Sequence, residues 1–188
     1  RPPRSTLDRS SAASDVYKRQ DLEDDPDHVI IGLNKRDTRV HDPYRVNVNT
    51  GDMEMIARNP GNISGWMTDH SGKLRMAITS DGVNSSLLYR DTEKEDFQTI
   101  LTTDFKITVS PLLFTFDNKN LYVASNRGRD KTAIFEFNIE NAKEGNLIFE
   151  HEDVDVSRLM YSKKRKILTG VGYTVAKGEM TIFDKWSQ

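Results

Sequence analysis

Four short apolar runs of the same shape recur along this chain at a nearly constant spacing. They are "VIIGLN" from Val29, "LRMAIT" from Leu74, "LYVASN" from Leu121 and "ILTGVG" from Ile167. The fourth position of each run is a small residue: Gly32, Ala77, Ala124 and Gly170. These positions are 45, 47 and 46 residues apart. Each run is short, β-rich and bounded by turn residues, which predicts a strand, and the small residues suggest that neighbouring sheets approach closely there.

Other features keep the same register. Three of the runs follow a turn, "DHSGK", "DNKN" or "SKKRK", and each turn follows another apolar stretch. A later wave of strands is "YRVNV", "SLLYR", "AIFEF" and "MTIF", and a further strand is indicated in "MEMIAR", "FQTIL" and "NLIFE". Repeats of about 40–50 residues with four antiparallel strands apiece are typical of a β-propeller. The predicted blades span about 28–58, 66–102, 113–150 and 158–186.

The predicted fold class is therefore all-β: a partial β-propeller over residues 28–188, with about four blades of antiparallel four-stranded sheets. A single blade buries too little apolar surface to be stable alone, so blades stack face to face. The given sequence ends after the third predicted strand of the last blade. Residues 21–27 could supply the fourth strand, but this acidic segment is a poor strand candidate. We expect an open fragment of a larger ring, cut at both ends.

Residues 1–20 differ in character from the repeats. Their sizeable apolar side chains are Leu7, Val16 and Tyr17, too few to offset the entropy of ordering the segment. The stretch "SSAASDVYKRQ" resembles a translated sequencing-adapter tract, and a natural tail is the alternative. We expect a disordered tail over 1–20 and an acidic lead-in over 21–27.

Two of the repeats resemble a known family. "WMTDHSGKLRMAITSDGVNSSLLYRD" and "LFTFDNKNLYVASNRGRDKTAIFEFN" resemble the propeller repeats of TolB-like proteins and of the prolyl oligopeptidase (S9) family. The run from "HVIIGLNKRDTRVHDPYRVNVNTG" to "AITSDG" is similar to the N-terminal propeller of dipeptidyl-peptidase and acylaminoacyl-peptidase-like members. The resemblance covers about residues 26–188. The "RDTRVHDPYRVNVNTG" stretch is its most specific part, although it is not a catalytic motif.

The resemblance implies a non-catalytic propeller that gates and filters substrates for a serine peptidase acting on short peptides. Its partners would be a C-terminal α/β-hydrolase domain of the parent chain, which carries the Ser-Asp-His triad, and peptide substrates. The alternative is a TolB-like propeller that acts as a protein-binding scaffold. A Gly-x-Ser-x-Gly elbow after Gln188 would favour the peptidase, and further blades followed by a stop would favour the scaffold.

Charge and composition limit the other partners. The net charge of −2 predicts no basic face for nucleic acid. The absence of cysteine excludes a disulfide framework, a thiolate metal site and a cysteine nucleophile, and is compatible with either the cytoplasm or the periplasm. No apolar stretch reaches the roughly 18 residues needed to span a bilayer.

No catalytic, cofactor-binding or metal-binding residues are predicted in this chain. Gly-x-Ser-x-Gly is absent, and "NISGW" places Asn62 where the first glycine should stand before Ser64. The histidines, at His28, His41, His70 and His151, have no metal-site spacing. We interpret His41 as a surface-loop residue and His70 as an exposed turn residue. Whether this fragment belongs to an enzyme depends on the parent, which the resemblance makes a serine-type peptidase.

Two loops are the best candidates to face a hydrolase domain or a substrate route: Arg36–Tyr44 and Arg127–Lys131. Either is equally compatible with a charged outer hairpin. The carboxylate runs Glu93–Asp96 and Glu150–Asp155 are interpreted as connections between blades, and the basic run Lys163–Lys166 as a solvated turn. The larger aromatic residues are predicted to pack between blades: Trp66, Tyr89, Tyr122, Phe135 and Phe137.

Overall fold

The computed structural model describes residues 16–22, 25–175 and 178–184, and its regular structure there is β-strand throughout. The strands are β1 (Val16–Asp21), β2 (His28–Asp37), β3 (Val40–Asn47), β4 (Met53–Met55), β5 (Ile63–Thr68), β6 (Leu74–Ser80), β7 (Asn84–Tyr89), β8 (Gln98–Asp104), β9 (Val109–Phe114), β10 (Leu121–Ser125), β11 (Ala133–Asn138), β12 (Lys143–Phe149), β13 (Val156–Ser162), β14 (Ile167–Thr174) and β15 (Gly178–Ile182).

The strands form four antiparallel sheets in which each strand pairs with its neighbour in sequence. The first sheet contains β1–β4, the second β5–β8, the third β9–β12, and the fourth β13–β15. Three sheets have four strands and the fourth has three in the described part of the chain. This is the four-stranded meander that the repeat spacing predicts for a propeller blade, so the predicted all-β, propeller-type class is confirmed.

The chain divides into two compact units, and the first sheet belongs to the first of them, whose described residues are 16–21 and 26–61. β2 pairs with β3, placing Val29 opposite Val46. β1 pairs with the other edge of β2, placing Asp21 opposite Val29. Residues 16–20 therefore form a strand where a disordered tail was expected. The expectation considered side-chain burial alone, whereas a strand edge also satisfies backbone hydrogen bonds. Residues 1–15 lie outside the described part.

The second unit contains the other three sheets and Leu22. Its larger core cluster combines Met76 and Leu87 from the second sheet with Phe114, Val123 and Phe137 from the third. Phe114 and Phe137 have no exposed surface. Truncating either ring to alanine would cost about 3–5 kcal/mol, because the fold closes poorly over so large a cavity. The face-to-face packing of these two sheets thus accounts for much of the unit's stability.

A smaller cluster joins the third sheet to the fourth, and it explains part of the small-residue pattern. Ala124 packs there with Ile134, Val156 and Val171, so a small residue does lie between sheets at this position. Gly170 has a different reason. A Cβ at Gly170 would lie 2.5 Å from the carbonyl oxygen of Thr181, which belongs to the next strand of the same sheet. The predicted close approach is therefore within the sheet at this position.

Candidate functional site

The first candidate loop, Arg36–Tyr44, is a tight hairpin between β2 and β3, built around a buried ion pair. The Arg36 guanidinium donates to both carboxylate oxygens of Asp42, at 2.8 and 3.0 Å. Asp42 has no exposed side-chain surface. The same carboxylate accepts the backbone N–H of Asn59 at 2.7 Å, and Arg36 also donates to the Asn59 carbonyl at 2.8 Å. The hydrogen bond to Asp42 raises the pKa of Arg36.

This network fastens the hairpin to the segment that leaves the first sheet. A buried carboxylate is tolerated only when it is paired and hydrogen-bonded, and Asp42 satisfies both conditions. The turn itself is closed by Asp37, whose carboxylate accepts from the Arg39 backbone at 3.0 Å and from its side chain at 3.0 and 3.1 Å. These bonds lower the pKa of Asp37 to about 2. The polar residues of this stretch therefore brace the hairpin.

The second candidate loop, Arg127–Lys131, is the topologically equivalent hairpin of the third sheet, between β10 and β11. Arg129 donates to Glu150 at 2.7 Å and stacks over the Phe135 ring at 4.5 Å. Beyond the loop, Asp155 accepts both the backbone N–H and the hydroxyl of Thr132, at 2.7 and 3.1 Å. The backbone hydrogen bond from Thr132 lowers the pKa of Asp155. This hairpin is thus hydrogen-bonded to the Glu150–Asp155 connection. Unlike the buried ion pair of the first hairpin, these bonds are made by partly exposed groups.

A groove of about 700 Å³ lies beside this hairpin, along the fourth sheet. Lys131 and Arg158 give its wall positive charge, and Asp153, Asp155 and Glu179 give it negative charge. The stem of Arg158 lies across Gly172, where an added Cβ would come within 3.0 Å of it. A lining with charges of both signs is more typical of a solvated surface groove than of a binding site for an apolar ligand.

His70 is half-buried, so the expectation of an exposed turn residue is wrong. Its ring lies 3.0 Å (Nε2) from the carbonyl oxygen of Phe114 and stacks on Phe116, with ring centroids 4.9 Å apart. Its backbone N–H donates to the Asn118 side chain at 2.9 Å, and Tyr161 of the fourth sheet meets its ring edge-on. One histidine thus contacts residues of two other sheets besides its own. The DHSGK turn looked exposed because its contacts come from distant residues.

The remaining candidates occupy structural positions. His41 lies half-buried in β3 rather than in a surface loop, and its carbonyl accepts from Asn59 at 3.3 Å. The Ser64 hydroxyl donates to the Ile78 carbonyl at 3.2 Å, which turns it toward its own sheet. His28 lies 3.3 Å from the Asn47 side chain, and the His151 ring lies 4.7 Å from that of Tyr173.

The three charged runs named in the sequence lie at different places in the fold. Glu93–Asp96 lies between β7 and β8, inside the second sheet, so its interpretation as a connection between blades is wrong. Arg90 holds that segment by donating to the carbonyls of Glu93 and Glu95, and burial lowers the pKa of Arg90. Glu150–Asp155 does connect two sheets, as predicted. The run Lys163–Lys166 is the exposed β13–β14 turn.

Three of the five aromatic residues named in the sequence pack between sheets, as expected. Phe135 and Phe137 belong to the cluster between the second and third sheets, and Tyr89 packs against it. Burial, followed by its hydrogen bond to Asp91, raises the pKa of Tyr89 to about 12. Trp66 instead pairs with Phe97 of the same sheet, their ring centroids being 5.8 Å apart.

Two absences hold for the described residues. No group of three or more His, Cys, Asp or Glu side chains in that part of the chain could hold a metal ion. No helix there is long and apolar enough to cross a membrane.

No protein-family model matches the chain. It is 28% identical over 163 residues to dipeptidyl aminopeptidase BIII of Pseudoxanthomonas mexicana. The chain resembles a dipeptidyl aminopeptidase. The predicted resemblance to the propeller of such a peptidase is confirmed. The match covers 85% of this chain, which spans 23% of the relative's length.

The solved structure of TolB supports the fold. TolB from Acinetobacter baumannii superposes with a TM-score of 0.60 at 16% identity, over 84% of this chain and 38% of that one. The Cps50 (Swd1) β-propeller domain of Myceliophteria thermophila has a TM-score of 0.49 at 10% identity, over 91% of this chain and 55% of that one. At these identities the TolB match shows the propeller fold alone.

The sequence reasoning missed one surface feature, the exposed phenylalanine of "TTDFKIT". Phe105 lies between β8 and β9 with 75% of its surface exposed. The available indication was a large aromatic residue between Asp104 and Lys106, where turns usually carry small or polar side chains.

Proposed function

We propose that this chain is the non-catalytic propeller portion of a serine peptidase that cleaves short peptides, and that it filters the substrates that reach a catalytic domain. The observation that carries the proposal is the 28% identity to dipeptidyl aminopeptidase BIII over 163 residues. The catalytic domain is an α/β-hydrolase in the same parent polypeptide. The chain's 23% share of the relative leaves ample length for such a domain.

The contacts of the described residues are compatible with a filtering role. A filter must hold its shape, and both candidate hairpins are fastened at their bases by charged hydrogen bonds, Arg36 to Asp42 and Thr132 to Asp155. Rigid loops on a fixed scaffold can restrict access by size without taking part in chemistry. The residues of this chain therefore act by exclusion and positioning, and the nucleophile belongs to the other domain.

The test uses the complete protein that contains these residues. Fluorophosphonate should label one serine outside residues 1–188, and the protein should release p-nitroaniline from dipeptidyl substrates while leaving unfolded casein intact. The matched control is the same protein with that serine changed to alanine, which should lose both labelling and hydrolysis.

Two results would contradict the proposal. Absence of labelling and of hydrolysis would exclude the peptidase and favour the alternative, a TolB-like scaffold for protein partners. Rapid cleavage of unfolded casein together with dipeptides would retain the peptidase but exclude substrate filtering.

A further inference from the structure

Large apolar side chains collect at one end of the second unit. Asn84 and Asp104 form the last pair of β7 and β8, and Val83 and Phe105 directly flank that pair. Val83 is 59% exposed, Phe105 75% and Ile107 36%. Val175 is 50% exposed. It lies on the β14–β15 connection of the fourth sheet, which is equivalent to the β6–β7 connection that carries Val83. We name the residues Val83, Phe105 and Ile107 the apolar patch.

The backbone that carries Phe105 is firmly held. Asp104 accepts the N–H of Lys106 on its side chain at 2.9 Å and the N–H of Ile107 on its carbonyl at 3.1 Å. Asn126, from the β10–β11 hairpin of the next sheet, donates to the Lys106 carbonyl at 3.1 Å and accepts from the Thr108 N–H at 2.7 Å. Phe105 is thus exposed on an ordered turn, which lowers the entropic cost of binding through it.

The opposite end of the same unit has a different character. Its turns present charged and hydroxyl groups, as at Ser71, Lys73, Lys119 and the run Lys163–Lys166, and all of these residues are exposed. The charged end is well solvated, so it does not need a partner to cover it. An exposed aromatic ring on an ordered turn, as at the other end, is the type of residue that anchors interfaces.

We propose that the apolar patch is where the catalytic domain of the parent protein packs against this propeller; this rests on the proposed function. The area of the patch favours a tethered partner. Its three side chains expose on the order of 300 Å², whereas a stable complex between separate proteins buries roughly 800 Å² on each partner. A domain in the same polypeptide has a high effective concentration, so a smaller contact can hold it.

The comparison with the dipeptidyl aminopeptidase supports this occupant. The match spans 23% of that relative, so most of its length lies outside the aligned region and must pack somewhere on or around it. Interfaces between domains of one chain are generally smaller and more polar than obligate interfaces. The polar neighbours of the patch fit this pattern, since the exposed residues Asp81, Asp104 and Lys106 lie within two positions of Val83 or Phe105 in the chain, and the Lys106 ammonium lies 5.8 Å from the Phe105 ring centroid.

The experiment places the photo-crosslinking residue p-benzoylphenylalanine at position 105 of the complete protein, where it replaces a similar ring. The control carries the same residue at position 119, in the exposed β9–β10 turn at the charged end. After irradiation of the purified protein, mass spectrometry should find cross-links from position 105 to residues beyond 188 within one molecule. Position 119 should give none.

A second readout uses substitutions on the exposed surface. Phe105→Ser in the complete protein should increase severalfold the rate at which protease cuts between this propeller and the rest of the chain. Leu147→Ser, at an apolar residue on β12 that is 45% exposed, should leave that rate unchanged. Dipeptide hydrolysis is measured in parallel on the wild-type protein.

The outcomes separate the two proposals. If the wild-type protein hydrolyses dipeptides but position 105 gives no cross-link, or links two copies, the docking surface is wrong and the proposed function stands. If the protein neither hydrolyses dipeptides nor reacts with fluorophosphonate, the proposed function fails and the docking surface fails with it. Cross-links from both positions 105 and 119 would also overturn the assignment, because contact would not be specific to the patch.

Discussion

The β2–β3 and β10–β11 hairpins are equivalent in topology, yet they are held in different ways. In the first, Asp42 is fully buried and receives three hydrogen bonds, from Arg36 and from the Asn59 backbone. In the second, Arg129 meets Glu150, whose side chain is 57% exposed. The stretch with the most specific sequence resemblance thus coincides with a buried brace. The specific residues of this stretch therefore serve the structure of the hairpin.

The largest expected effect comes from breaking that brace. Asp42→Asn should destabilise the first unit by about 3 kcal/mol, because it removes the charge that pairs with Arg36 inside the hairpin. Native-state hydrogen exchange of the β3 amides measures the loss. Asp37→Asn is the control, since its partner Arg39 is exposed and solvent screening should leave this pair with little effect on stability. Equal losses of stability in the two variants would show that burial of the carboxylate does not determine how much the ion pair contributes.

In the second hairpin, the anchor at Asp155 should matter more than the ion pair. Asp155→Ala leaves the Thr132 N–H and hydroxyl without this acceptor, and we expect a loss of about 1 kcal/mol in the free energy of unfolding. Thermal unfolding of the protein measures it. Thr132→Val, which removes only the hydroxyl, should lose less than Asp155→Ala.

The same anchor predicts a pH dependence. The Thr132 N–H lowers the pKa of Asp155 in the folded state below its usual value of about 3.9. A lowered carboxyl pKa stabilises the fold above about pH 4, and this contribution is lost as the pH falls through the folded-state pKa. The difference in melting temperature between wild type and Asp155→Ala should therefore be constant from neutral pH to mildly acidic pH and shrink below pH 4. A difference that persists in strong acid would contradict this.

The exposed ion pair should have a smaller effect. Glu150→Gln should change the free energy of unfolding by less than about 0.5 kcal/mol, because solvent and salt screen the Arg129–Glu150 attraction and Arg129 keeps its position over Phe135. Urea unfolding at low and high salt tests this. A loss above 1 kcal/mol that persists at high salt would mean that the pair behaves as if buried.

The smallest effect concerns titration rather than stability. Arg39→Ala removes the side-chain donor that lowers the pKa of Asp37 to about 2, and the midpoint of Asp37 should rise toward about 3.9. An NMR titration of the Asp37 carboxyl measures it. An unchanged midpoint would assign the shift to the Arg39 backbone N–H, which the substitution leaves in place.

Local patterns in the sequence predicted the strands and their order. Alternation, turn residues and a 45–47-residue spacing act over short distances, so they can be read from neighbouring letters. The meander within each sheet follows from short connections. The resemblance to a dipeptidyl-peptidase propeller also came from contiguous stretches, and the relative found by comparison supports it.

Distant contacts decided the rest. The burial of His70 depends on Phe116, Asn118 and Tyr161, which lie 46 to 91 residues away in the chain. The strand β1 needed a free edge on β2, and the position of Phe105 at the surface required Asn126 of another sheet to fix its turn. Within the repeats, short-range patterns were therefore enough to predict which segments become strands and how often they recur, but they did not predict β1. Which polar groups are buried braces and which apolar groups remain exposed was decided by long-range contacts, because burial depends on residues far apart in the chain.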